Sequence, residues 1–103
     1  MAKQIILYNL ADHVTDEEYR EYVTKEKGPL LDSLSSVKKF ELVKINGSTL
    51  AESPCQYAGI MHMTSLEEFS QKDAPSQEFQ DFMKKWQTMV KDVTMLAGEE
   101  VYQ

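Results

Sequence analysis

Two stretches decide the fold: Lys3-Gln4-Ile5-Ile6-Leu7-Tyr8-Asn9-Leu10 and Gln56-Tyr57-Ala58-Gly59-Ile60-Met61-His62-Met63-Thr64. Each is rich in bulky or β-branched apolar residues without the three-to-four residue spacing of a helix, so each reads as a strand. The apolar runs Ile5-Ile6-Leu7-Tyr8 and Tyr57-Ala58-Gly59-Ile60-Met61 do not alternate with polar residues. Both faces of these strands are greasy, which suits the middle of a sheet.

Outward from the first strand, Ala11-Asp12-His13-Val14 is a connection. Thr15-Asp16-Glu17-Glu18 is a capping box, with a hydroxyl for the free amides and Glu18 three residues on. Its acids also suit the positive helix end. The helix it opens puts Tyr19, Tyr22 and Val23 on one face. Gly28-Pro29 predicts a kink or break, because Pro29 lacks an amide and disfavours helical Gly28. Leu30, Leu31 and Leu34 extend the apolar face in a short second piece. Val37 to Ile45 reads as a strand with Phe40 and Leu42 on one side, Val43 and Ile45 on the other. Asn46-Gly47 is a turn signal, and a loose hairpin loop is expected over Ser48 to Ser53.

After the second quoted stretch, Ser65-Leu66-Glu67-Glu68 opens a short helix ending near Lys72, and Asp73-Ala74-Pro75 breaks it. Ser76 caps a longer helix expected to run to about Lys91. Phe79, Phe82, Met83, Trp86 and Val90 form its buried stripe. Val93 to Tyr102 is the last strand. The order is β, α, β, β, α, β in a single α+β domain spanning residues 1–103. Right-handed crossovers favour a four-stranded antiparallel sheet in order 4-1-3-2 with both helices on one face.

Two helices cover only one face of such a sheet, yet within the first strand Ile6 and Tyr8 oppose Ile5 and Leu7, and within the third Ile60 opposes Met61 and Met63. A bare apolar face of several hundred Å², by order of magnitude, is rare on a soluble monomer, and burying it is favourable. The expected cover is a second copy, giving a homodimer whose sheets enclose a barrel with a cavity. The alternative cover is the Ser48–Ser53 loop with the C-terminal tail.

The formal charge of −6 over 103 residues and the lack of a Lys/Arg stripe speak against nucleic acid and anionic membranes. The N-terminal apolar run is too short for a signal peptide or a span. The single cysteine, Cys55, forms no internal bridge, so cytoplasmic residence is expected. Two histidines and one cysteine, widely spaced, match no metal site, and no cofactor motif is present.

His62 is the candidate catalytic group, on the same face as Ile60 and Thr64. It is either a hydrogen-bonded core or rim histidine, or a proton carrier aimed into the cavity. Tyr8 and Asn9 end the first strand, where a pocket places polar groups, and His13 stands at the expected mouth. Tyr19, Tyr57 and Trp86 are candidates to line an aromatic ligand pocket, although Trp86 at helical spacing reads equally as core. The late methionines suit an adaptable apolar interior.

The elements Leu10, Val14-Thr15-Asp16-Glu17-Glu18-Tyr19, Gly28-Pro29, Ser36-Val37 with Phe40, Pro54 with Tyr57, Ser65-Leu66-Glu67-Glu68-Phe69 and Trp86 together resemble the REDY-like, HapK-type proteins associated with bacterial prodiginine biosynthesis. The similarity spans almost the whole chain and rests on caps, turns and core. It implies the ferredoxin-like βαββαβ fold of the dimeric α+β barrels. It also implies an accessory role in secondary metabolism, binding an apolar aromatic or pyrrolic intermediate in the barrel cavity. Other readings are a cofactor-independent oxygenase or cyclase, or a non-catalytic partner of a pathway enzyme. The resemblance carries over no catalytic residue.

Overall fold

A computed structural model describes residues 2–46 and 55–102. The strands are β1 (Ala2–Leu10), β2 (Val37–Lys44), β3 (Tyr57–Met63) and β4 (Val90–Glu99). They form one antiparallel sheet in the order β2-β3-β1-β4, which is the expected order read from the other edge. The two apolar stretches are its central strands. The Ser48–Ser53 loop and Gly47 lie outside the described residues.

The helical layer consists of α1 (Asp16–Tyr22), a π-helical turn (Val23–Lys27), α2 (Gly28–Ser33), a short α3 (Leu66–Glu68) running into a second π turn (Phe69–Asp73), and α4 (Gln77–Gln87). The caps form where the sequence places them. The hydroxyls of Thr15, Ser65 and Ser76 accept from the amides of Glu18, Glu68 and Phe79 at 3.1, 3.0 and 3.2 Å. The irregularity expected at Gly28-Pro29 takes the form of a widened turn just before it rather than a break. Pro29 sits in the first turn of α2, where its missing amide costs little.

The boundaries of the last helix and the last strand are corrected, the strand running Val90–Glu99 rather than Val93 to Tyr102. The longer helix stops at Gln87 and not near Lys91, because Thr88 caps it on the carbonyls of Lys85 and Trp86. Met89 already contributes its carbonyl to Ala11. Val90 therefore leaves the helical stripe and pairs with Leu10 in the sheet.

Burial along β3 alternates strictly, with Tyr57, Gly59, Met61 and Met63 under the helices. Ala58, Ile60 and His62 take the opposite face, and the registers assign the rest. Ile60 lies beside Ile5, which lies beside Leu96; Ala58 lies between Val43 and Leu7. No described helix covers this face. Under the helices, one cluster gathers Leu31, Leu34, Met61, Met63 and Phe69. The other gathers Tyr8, Tyr19, Tyr22, Tyr57 and Trp86. Buried Asp73 fixes the chain between α2 and β2 by accepting from the Ser36 amide at 2.8 Å and from the Ser36 hydroxyl. Burial works to raise the Asp73 pKa, but these donors, with Ser35, outweigh it and hold it below the usual range. No helix among the described residues is long and apolar enough to cross a membrane.

Candidate functional site

The site is built on Lys27, the last residue of the first π turn. Its side chain is 3% exposed in the core. Its ammonium nitrogen lies 3.0 Å from the Tyr19 hydroxyl and 3.3 Å from the Tyr8 hydroxyl. The two hydroxyls are themselves 2.5 Å apart, and Trp86 Nε1 donates to Tyr19 at 3.0 Å. The nitrogen also stands 5.1 Å from the ring centres of both Phe40 and Trp86. Among the described residues no carboxylate pairs with it. Burial alone pushes its pKa down to about 7. Burial likewise raises Tyr8 and Tyr19, so both phenols remain protonated at neutral pH.

Beside this cluster is a cavity of about 130 Å³ between the sheet and the helices. Phe40, Met61, Phe82 and Met83 wall it, and Lys27 and Gln4 are its charged or amide side chains. Met95, on edge strand β4, is the exposed member of the lining and marks the mouth. A dry cavity of roughly 150 Å³ suffices for a benzene ring, so this one has the scale of a single flat ring. It sits at the seam of the two core clusters.

The residues singled out from the sequence fall into three places. Tyr8, Tyr19, Tyr57 and Trp86 come together, but largely with one another: Tyr8 stacks on Tyr57 at 5.8 Å and meets Trp86 edge-on at 5.3 Å. Of the four, Trp86 lines the cavity. Tyr57 donates to Asp16 at 2.6 Å, and burial and that carboxylate push its pKa to about 12. Asn9 lies at the far end of β1. There it donates to Asp92 at 3.1 Å, beside a β-bulge in which Asp92 adopts a φ of 55°. This corner is a polar cleft between Asp12, Asp16, Gln56 and Lys91. His13 is exposed in the adjoining connection. His62 is on the uncovered sheet face, 2.8 Å from Glu41, on the side where a facing sheet would close the expected barrel and opposite the cavity under the helices. Among the described residues no three of His, Cys, Asp and Glu gather as metal ligands.

Sequence reading missed Lys27. In a regular α-helix the four-residue spacing Tyr19, Val23, Lys27, Leu31 drifts around the axis. The π turn slows that drift and keeps the row against the sheet. The available signal was the lysine on that row just ahead of Gly28-Pro29.

Comparison with known proteins gives a consistent result. The family model described as REDY-like protein HapK matches residues 2–101. No curated protein matches the chain. Among solved structures, HapK from Hahella chejuensis superposes with a TM-score of 0.82 at 22% identity, covering 100% of this chain and 95% of that one. A dimeric ferredoxin-like protein from Thermobifida fusca gives 0.76 at 15% identity, covering 96% and 90%. A hydroxynitrile lyase from Passiflora edulis gives 0.82 at 12% identity, covering 99% and 96%. At these identities the structures establish the shared fold.

Proposed function

The chain belongs to the REDY-like HapK family, and from that premise we propose that it binds a flat apolar intermediate, aromatic or pyrrolic, in the cavity under its helices and assists a biosynthetic step. The observation that carries this reading is the ring-sized apolar cavity with one buried amine at its wall. Apolar walls supply the binding energy, and a few convergent polar groups orient the ligand. Family membership supports a place in secondary metabolism of the prodiginine type, and the single cysteine, Cys55, supports a cytoplasmic location.

The working unit in this reading is a homodimer. Ile5, Leu7, Ile60, Val43 and Leu96 form an apolar band on the uncovered face. Lys3, Lys39 and His62 border it at one end. A second copy laid on this face buries the band, and the Thermobifida relative is described as dimeric. His62 and Glu41 then sit at the rim of that interface.

The binding test uses pyrrole and indole. Either, at about a hundredfold excess over its Kd, stabilises the folded state by about 2.7 kcal/mol. With methionine methyls labelled for NMR, the resonances of Met61, Met83 and Met95 shift and that of Met89 does not. Absence of both stabilisation and methyl shifts rejects the reading.

A further inference from the structure

We propose that Lys27 condenses reversibly with the carbonyl group of a small aromatic or heteroaromatic aldehyde seated in the cavity, and so holds it as an imine. This rests on the ligand-binding reading above and adds the reactive group that the ligand carries.

The first ground is the company Lys27 keeps. A lysine buried for stability alone is ordinarily paired with a carboxylate, because an isolated ammonium is costly in the interior. Here the partners are two phenols, an indole and a phenyl ring. That environment disfavours the charged form and leaves a nitrogen lone pair near neutrality, as the depressed pKa of about 7 reflects. The second ground is position. The amine lines the cavity under the helices, whose other walls are apolar apart from the Gln4 amide. A ring held by those walls brings a substituent on it to the amine. The third ground is the proton path. The Tyr8 and Tyr19 hydroxyls touch the amine and each other. Both are held protonated.

The step balances without an oxidant or reductant. The Nζ lone pair attacks the carbonyl carbon, and the C=O π pair moves to oxygen. A proton passes from the new ammonium to that oxygen through the Tyr19 and Tyr8 hydroxyls, giving a carbinolamine. The hydroxyl takes a second proton from the phenol pair and leaves as water while the nitrogen pair closes the C=N bond. The resulting iminium returns its proton to the phenols. Aldehyde and amine become imine and one water, and hydrolysis reverses the sequence.

The test uses the full chain at pH 7 with benzaldehyde and sodium cyanoborohydride, which reduces any imine to a stable secondary amine. Benzyl alcohol, of the same shape but unable to condense, is the binding control. Peptide mapping should place the adduct on Lys27 at a rate roughly tenfold or more above any surface lysine, since those are almost fully protonated at pH 7. Excess benzyl alcohol should slow it, and Lys27→Met and Lys27→Arg should abolish it while surface labelling is unchanged. The wild-type map and the benzyl alcohol competition stand even if a variant fails to fold. If benzyl alcohol shifts the Met61 and Met83 methyls but Lys27 is labelled no faster than surface lysines, the imine is overturned and the binding reading survives. If benzyl alcohol shifts no methyl and Lys27 stays unlabelled, both fall.

Discussion

Lys27 and Tyr19 meet through a 3.0 Å hydrogen bond although they stand eight residues apart on one helical run. Eight residues in a regular α-helix leave two side chains roughly 80° apart around the axis. The π turn over Val23–Lys27 removes that offset and turns a lysine into the core. The turn closes with the Gly28 amide on the Val23 carbonyl. The Trp86 indole, arriving from α4, completes the cluster on the same Tyr19 oxygen.

Stability should rise as pH rises from neutrality, the reverse of the usual trend in this range. The folded pKa of Lys27 is depressed to about 7. Its unfolded pKa is about 10.4, so the unfolded chain binds the extra proton between those limits. The contribution is full above the upper limit and lost as pH falls toward 7, on the order of 5 kcal/mol at most. Tyr8, Tyr19 and Tyr22 have raised folded pKa values, so their contribution is present below about pH 10 and lost above it. Urea unfolding at a series of pH values should show a maximum near pH 9 to 10, by this order-of-magnitude argument. In Lys27→Met the rise from pH 7 should vanish; an unchanged rise would assign it to another group.

Tyr19→Phe should destabilise by roughly 1–3 kcal/mol, because it strips the acceptor from the buried Trp86 N–H and a partner from Lys27. Tyr57→Phe loses the half-buried bond to Asp16, which Lys44 still holds at 2.9 Å, and should cost about 0.5–1.5 kcal/mol. Denaturant midpoints of the two variants, measured side by side, check the order.

Gly28→Ala should destabilise, against the ordinary helical gain of about 1 kcal/mol for replacing glycine by alanine. A Cβ there would lie 2.9 Å from the Val23 carbonyl oxygen, which is backbone and has no side-chain freedom to yield. The strain opens the π turn and disturbs the placement of Lys27. Gly98→Ala meets nothing within 4 Å and should be near neutral. Thermal melts of both variants, with a Gly28→Ala variant at least as stable as wild type, would refute the close approach.

Ile60→Glu should convert a dimer to a monomer in light scattering, since Ile60 lies beside Ile5 in the apolar band of the uncovered face. Leu66→Glu is the control: Leu66 is exposed on α3 rather than on the sheet. Equal effects of the two substitutions would locate the interface elsewhere.

The sequence by itself determined the architecture, because that rests on local chemistry. Two apolar runs without alternation had to be central strands, and serine and threonine caps had to start helices. The βαββαβ order then leaves few topologies, and the observed sheet has the expected order. Only the tertiary structure decided the site. The aromatic residues Tyr8, Tyr19 and Trp86 were legible as candidates, but their closure on Lys27 depends on a π turn that shifts helical phase, which a 3.6-residue period does not encode. Strand parity put His62 with Ile60, but parity does not tell which side the helices take. That side follows from where α1 and α4 dock, a long-range packing outcome that leaves His62 beside Glu41 and Lys27 facing the cavity.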